Sequence, residues 1–191
     1  MYSVKINSNK TLLSLVFSLI LFTIACNDSN KSPKVQSSVA KPKIDIHTAI
    51  LNNNLDVVNQ YIAAGIDINK VEQMSGSTPL ITAATFGKTE IVEALIDAKA
   101  DLNRKNNEGA TALHTAAFFC RVEIVQLLID AKADKTIKNN FGATPRESVM
   151  GSFADMKPVY EMIHQQLRPL GLELDLNEVE KTRPVIAMML Q

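Results

Sequence analysis

Apolar residues recur along this chain at a spacing that places them on one side of an α-helix. Ile91, Val92, Leu95 and Ile96 fall at positions i, i+1, i+4 and i+5 of one segment. This spacing predicts a helix with one buried stripe and an otherwise polar surface. The same spacing returns at residues 124–129, so the pattern predicts two helices of one kind.

The similarity between these two segments extends beyond the stripe. Both contain the heptapeptide LIDAKAD, and residues 77–103 align with residues 110–136 along their whole length, at a period of 33. A third copy, shifted by 34 residues, occupies 44–69, and a fourth begins at 141–149 and then diverges. One helix pair cannot bury its apolar face alone, whereas stacked pairs share a continuous core. The repetition therefore predicts a stack of similar units.

Local signals divide each unit into a thin first helix and a second helix that carries the apolar stripe. Thr78 and Thr111 stand where a helix N-cap is needed, and Pro79 fills the first helical position, where its missing N–H costs little. Alanine pairs at 83–84 and 116–117 make the first helix thin enough for a neighbouring unit to stack closely.

Five positions between the helices predict special backbone conformations. Gly109 and Gly142 each lie two residues before a threonine, as a tight turn requires. At the end of the second helix, Gly65 in the first unit is replaced by Lys99 and Lys132 in the next two. If these sites are left-handed, each lysine costs on the order of 1 kcal/mol. Two interpretations stay open: a functional pair of cations on one edge, or solvated lysines that suit the helix dipole.

Together these motifs resemble the ankyrin repeat, whose period and Thr-Pro-Leu-His pattern they share. The resemblance covers residues 43–165 and implies an all-α solenoid of about four helix-turn-helix units with hairpin loops. The motifs that carry it are Thr78-Pro79-Leu80, Thr111-Ala112-Leu113-His114, the two alanine pairs, Ile91-Val92 and Ile124-Val125.

The chain departs from this pattern after residue 150. We expect a helix over about 156–167 that closes the stack, followed by a C-terminal helical cap over 166–191. In the cap, Asn177 would begin one short helix and Thr182-Arg183-Pro184 another. The alternative is that this segment docks a partner, since its apolar residues would also suit a groove.

The N-terminus predicts export. Lys5 and Lys10 precede an apolar run over 11–26 that is too short for a comfortable membrane span and ends at Cys26. The pattern resembles a bacterial lipoprotein signal, which implies a signal peptide over 1–25, lipid attachment at Cys26 and a membrane-anchored protein of the cell envelope. An ordinary cleaved secretory signal and an uncleaved short anchor are the alternatives. Residues 26–42, rich in Ser, Lys, Pro and Asn, predict a flexible tether.

Composition and chemistry point away from catalysis. The formal net charge is +0, which argues against a protein that binds nucleic acid through phosphate attraction. The three histidines show no metal-ligand spacing, and no phosphate-binding loop is visible, so we expect neither a metal nor a cofactor. His47 and His114 occupy the family's structural histidine position. We therefore expect a protein that is not an enzyme.

Cys120 provides the alternative to a pure binding function. It stands at the helix-joining position that Gly87 and Asn53 hold in other units. A reactive thiol here would indicate a redox protein or an enzyme, although a nucleophile would need a nearby base. The other interpretation is a plain substitution at a helix junction.

The resemblance implies that hairpin tips and the outer side of the first helices form one concave surface that binds another protein. We expect a monomer whose partner is another envelope protein, either an enzyme that it supports or a toxin that it neutralises. Aromatic residues are favoured anchors in such surfaces, although a phenylalanine near the helix junction can also pack against the adjacent unit. The matching hairpin residues are Met74, Ser75, Ser77, Asn107, Glu108, Ala110, Asn140, Phe141 and Ala143, and the matching helix residues are Leu51, Asn52, Thr85, Phe86, Phe118 and Phe119.

Overall fold

The computed structural model describes residues 42–191, and all the regular secondary structure in this range is helical. The predicted signal peptide over 1–25, Cys26 and nearly all of the predicted tether lie outside these residues. The α-helices are α1 (Ile46–Leu51), α2 (Leu55–Ala63), α3 (Pro79–Thr85), α4 (Thr89–Asp97), α5 (Ala112–Phe118), α6 (Val122–Asp130), α7 (Phe153–Leu167) and α8 (Leu176–Met189). Two 3-10 turns span Glu147–Val149 and Arg168–Leu170.

Helices α1 to α6 form three stacked pairs. In each pair the first helix (α1, α3 or α5) packs against the second helix (α2, α4 or α6), and each helix also packs against its counterpart in the next unit. The predicted stripe is the core, because Ile91, Leu95, Ile124 and Leu128 are all fully buried. This arrangement confirms the predicted all-α solenoid.

The predicted caps also form. The Thr78 hydroxyl accepts a hydrogen bond from the backbone N–H of Ile81 at 3.2 Å, and Pro79 is the first residue of α3. In the next unit, the backbone N–H of Thr111 donates to Nδ1 of His114 at 3.2 Å. Both threonines thus hold the N-cap position of a first helix, as predicted.

Left-handed backbone occurs at the predicted lysines. Lys99 and Lys132 have φ values of 65° and 66°, close to the 63° of Gly65. The helix-joining position is left-handed as well, at Gly87 (66°) and Cys120 (54°). Two positions of a unit, the junction between its helices and the end of its second helix, therefore favour glycine. At the end of the second helix, two units hold lysine instead.

The fourth unit departs from the predicted arrangement. Its first helix is reduced to the 3-10 turn Glu147–Val149, and the helix that packs against α6 and this turn is α8. We expected residues 156–167 to close the stack, and this was wrong: α7 is inserted between the two halves of the fourth unit. The expected pair of short C-terminal helices is one helix, which Asp175 caps and which contains Pro184.

None of the helices between residues 42 and 191 has both the length and the apolar character that crossing a membrane requires.

Candidate protein-binding surface

Three hairpins, over residues 70–77, 104–110 and 137–143, project from the stack between successive units. Each is closed by a backbone hydrogen bond of 2.9 Å, for example from the N–H of Asn106 to the carbonyl of Ala110. A glycine with positive φ completes each turn: Gly76 (68°), Gly109 (72°) and Gly142 (77°). The predicted turns at Gly109 and Gly142 are therefore confirmed.

Two asparagines join these hairpins into a ladder. The backbone N–H of Asn107 donates to the Ser75 carbonyl at 2.9 Å, and its side-chain amide donates to the Met74 carbonyl at 2.9 Å. Asn140 repeats both contacts one unit later, with Glu108 and Asn107 as acceptors at 2.9 Å. We predicted both asparagines as partner contacts. The structure shows that each fixes the position of its hairpin relative to the one before, and their contact with a partner stays a prediction.

The same ladder explains two of the hairpin glycines. A Cβ atom on Gly76 would collide with the side chain of Asn107, and a Cβ atom on Gly109 would collide with that of Asn140. Glycine is thus required at both positions for close approach as well as for positive φ. Because the hairpins are held in this way, little ordering remains to be done when a partner binds.

Two large apolar side chains stand at the hairpin tips. Met74 is 90% exposed and Phe141 is 81% exposed, far more than other apolar residues of the stack. Ser75, Asn107, Glu108 and Asn140 are also exposed, while Ser77, Thr85 and Phe86 are half-buried. With exposed Asn52 and half-buried Leu51 and Ala143, these predicted contact residues are accessible to a partner. Their role in binding stays a prediction.

Two other predicted contact residues are not accessible. Phe119 is 6% exposed and Ala110 is 7% exposed. The Phe119 ring lies edge-on against Phe118, with ring centroids 5.1 Å apart. The phenylalanine position at the end of the first helix therefore faces the interior in the third unit, and neither residue is available as a contact.

Phe118, which completes the predicted set, is covered by α7. Its ring stacks on Tyr160 at a centroid distance of 4.5 Å and an interplanar angle of 25°. The Tyr160 hydroxyl donates to the Phe118 carbonyl at 2.8 Å. Tyr160 is fully buried, so α7 occupies part of the predicted surface at the third unit.

A buried arginine holds Tyr160 in place. Arg183 of α8 is 3% exposed, and its Nη1 donates to the Tyr160 hydroxyl at 2.9 Å while its Nη2 donates to the Gly151 carbonyl at 2.8 Å. Burial raises the pKa of Tyr160 to about 12, so the phenol stays neutral. The periodic pattern carries no signal for this cluster, because both residues lie beyond residue 150, where the chain departs from the repeat.

The histidines are structural, as the resemblance implies. Nδ1 of His47 lies 3.0 Å from the Thr82 hydroxyl and its Nε2 lies 3.0 Å from the Lys70 carbonyl. His114 accepts at Nδ1 from Thr111, and its Nε2 lies 3.1 Å from the Ala143 carbonyl, so it is held as the neutral Nε2–H form. Burial lowers the pKa of His114. Both rings connect a unit to the next hairpin.

Cys120 lacks the environment of a reactive thiol. Burial raises its pKa to about 11, which leaves almost no thiolate at neutral pH. Its Sγ donates to the Val179 carbonyl at 3.7 Å, at the wall of a cavity of about 370 Å³ between the third unit and the start of α8. This chemistry favours a plain substitution at a helix junction over a redox or catalytic cysteine.

Metal binding finds no support in the described part of the chain. Between residues 42 and 191, His, Cys, Asp and Glu side chains do not gather in groups of three or more that could hold a metal ion.

Comparison with known proteins agrees with this architecture. Residues 46–139 match the family model for ankyrin repeats, in three copies. Over 82 residues the chain is 35% identical to alpha-latroinsectotoxin-Lt1a and 33% identical to alpha-latrocrustotoxin-Lt1a, both of Latrodectus tredecimguttatus. These matches cover 42% of this chain and only 6% and 5% of those much longer toxins.

A solved structure shows the same fold. The ankyrin repeat domain of Bcl-3, a member of the IkappaB protein family, aligns with a TM-score of 0.52 at 29% sequence identity. The alignment covers 54% of this chain and 45% of that one. With three stacked helix pairs, the hairpin ladder and the match over residues 46–139, the chain belongs to the ankyrin repeat family.

Proposed function

We propose that this protein is an exported, membrane-tethered interaction module that binds another protein of the cell envelope. Ankyrin repeats are protein–protein interaction modules, and the partner would contact the hairpins and the first-helix side of the stack. In this role the partner is an envelope enzyme that the module supports or a toxin that it neutralises.

The observation that carries the proposal is the exposure of Met74 and Phe141 on a rigid edge. Large apolar side chains at the ends of ordered hairpins cost solvation free energy, and the stack gains nothing from them. The asparagine ladder fixes both tips in position before a partner arrives. Such pre-organised apolar anchors are characteristic of binding sites.

The envelope location rests on the N-terminal sequence. Lys5 and Lys10, the apolar run that follows and Cys26 together resemble a lipoprotein signal. A lipid on Cys26 would tether the ankyrin stack to a membrane through the polar segment that follows the cysteine.

Site-specific photocrosslinking in the native cell tests the proposal. A photoreactive amino acid is placed at Met74 or at Phe141, and at Gln60 or Gln126 as matched exposed controls on the second helices. We expect both hairpin positions to crosslink to the same envelope protein and the controls to give no such product. Crosslinks from the control positions alone, or the absence of any specific crosslink, would refute a hairpin binding surface.

A further inference from the structure

Charge is divided unevenly between the two sides of the stack. The second helices α2, α4 and α6 contain no Lys or Arg, and every charged residue on them is acidic and exposed. The first helices α1, α3 and α5 contain no Asp, Glu, Lys or Arg at all. The second helices themselves therefore carry only negative charge, and the first helices carry none. The six acidic residues are Asp56, Glu90, Glu93, Asp97, Glu123 and Asp130.

The hairpins carry the opposite charge. Four cationic residues stand on them, and all four are exposed: Lys70, Arg104, Lys105 and Lys138. They follow one another from hairpin to hairpin, and Nζ of Lys105 reaches the Lys138 carbonyl at 2.9 Å. The positive charge therefore runs along the whole hairpin edge.

Only two acidic residues lie on the same hairpins, and one of them is already engaged. The Glu72 carboxylate accepts hydrogen bonds from the backbone N–H groups of Met74 (2.7 Å) and Ser75 (2.8 Å). These bonds lower the pKa of Glu72 and occupy its oxygens within its own hairpin. Glu108 is the other, and it is exposed. A cationic excess remains on the edge where Met74 and Phe141 are exposed.

We infer that the partner presents an acidic segment with apolar side chains to the hairpin edge. This inference rests on the proposed binding function and specifies the chemistry of the partner. The apolar side chains of the segment cover Met74 and Phe141, while its carboxylates meet Lys70, Arg104, Lys105 and Lys138. The acidic second helices repel the same segment, which favours its approach at the hairpins.

The uncharged first helices make this arrangement effective. A carboxylate that approaches the hairpins meets no fixed negative charge on the adjacent helix face, which instead offers Thr85 and the half-buried Phe86. Complementary charge of this kind sets partner choice and association rate more than affinity. The covering of Phe118 by Tyr160 limits the helix contacts to the first two units.

Selection from a random peptide library displayed on phage tests the inference without knowledge of the natural partner. Full-length protein is used as bait, and the selected peptides are synthesised and titrated. We expect enrichment of Asp and Glu together with aromatic or aliphatic residues. Affinity for these peptides should fall at least about tenfold between about 0.05 and 0.5 M NaCl, because exposed charges are screened.

Charge-reversal variants locate the binding edge. The double variant Arg104→Glu, Lys138→Glu should bind the selected peptides with an affinity at least about tenfold lower than that of the wild type. The matched control, Lys157→Glu with Lys181→Glu, makes the same change of charge at exposed positions of α7 and α8 and should change affinity less than twofold, by the same reasoning. Circular dichroism of each variant checks that the helices are retained.

The outcomes separate this inference from the proposed function. Peptides that bind at the hairpins but are neutral or basic, or are insensitive to salt, would overturn the acidic partner and leave the binding function standing. The inference would also be overturned if acidic peptides bound the variant Arg104→Glu, Lys138→Glu with the same affinity as the wild type. If no peptide is selected, the inference fails, whereas the proposed function is decided by the crosslinking experiment at Met74 and Phe141.

Discussion

Replacing Tyr160 with phenylalanine removes one oxygen atom from the contact between α7 and the third unit. That oxygen donates to the Phe118 carbonyl at 2.8 Å and accepts from Arg183 Nη1 at 2.9 Å. The ring stack is kept, so the change isolates the two hydrogen bonds. Loss of each hydrogen bond leaves a polar group, the Phe118 carbonyl or Arg183 Nη1, without the Tyr160 oxygen as its partner. A buried unsatisfied polar group costs about 1–3 kcal/mol. We expect Tyr160→Phe to lower the free energy of unfolding by about 2–4 kcal/mol, since Arg183 keeps its bond to Gly151.

Urea unfolding followed by circular dichroism measures this change. Tyr61→Phe is the matched control, because the Tyr61 hydroxyl also donates to a backbone carbonyl, that of Ile44, at 3.1 Å. Ile44 is exposed and water can replace the lost donor, so we expect a cost of about 0.5–1.5 kcal/mol at most.

A double-mutant cycle with Arg183→Met sharpens the test. If Arg183 and Tyr160 depend on each other, the double variant should be more stable than the sum of the single changes predicts, by about 1 kcal/mol. Equal losses for Tyr160→Phe and Tyr61→Phe, or strict additivity in the cycle, would refute the argument that this cluster fastens α7 to the stack.

Four further predictions concern other parts of the chain. Lys99→Gly and Lys132→Gly should each raise the free energy of unfolding by about 0.5–1 kcal/mol because both sites are left-handed, and a loss at both in urea unfolding would contradict this. The pKa of His114 is lowered in the folded protein, so the unfolded chain binds more protons. Its contribution to stability is therefore present above about pH 6.5 and is lost as the pH falls toward the folded pKa. His114→Gln should flatten the dependence of the urea midpoint on pH between 7.5 and 5. An unchanged slope would show that His114 is not the source of this pH dependence. Cys26→Ser should release the protein from the membrane fraction or leave it unprocessed, and wild-type protein without a lipid by mass spectrometry would refute the lipoprotein interpretation. Removal of residues 176–191 should expose the apolar side of α6 and cause aggregation in light scattering, whereas a soluble truncation of unchanged melting temperature would contradict the role of α8.

The periodic part of the fold could be predicted because its signals are local and repeated. Thr78 and Pro79 mark a helix start by their own chemistry, and the stripe of Ile91 and Leu95 fixes the buried side of the second helix. Lys99 could be assigned to a left-handed site because Gly65 stands at the same point of another unit. In each case the signal recurs at the matching position of another unit, which supports the assignment.

The remaining features depend on contacts between residues that are distant in the sequence. Tyr160 meets Phe118 and Arg183 across 42 and 23 positions, and no repeat connects them. The buried Phe119 ring lies against Phe118, whose own cover is Tyr160 of α7, outside the periodic part of the chain. The ladder is an intermediate case, since asparagine does recur at 107 and 140, but only the structure shows which carbonyl groups it reaches.

The insertion of α7 has a consequence for how the chain acquires its structure. The first three units pack through segments that are close in the sequence. Helix α6 ends at Asp130, whereas its packing partner α8 begins only at Leu176. Contacts that close a long loop form more slowly than local ones. The carboxyl-terminal end of the stack should therefore fold last, and the apolar side of α6 stays open to misassembly until the residues of α8 have been synthesised.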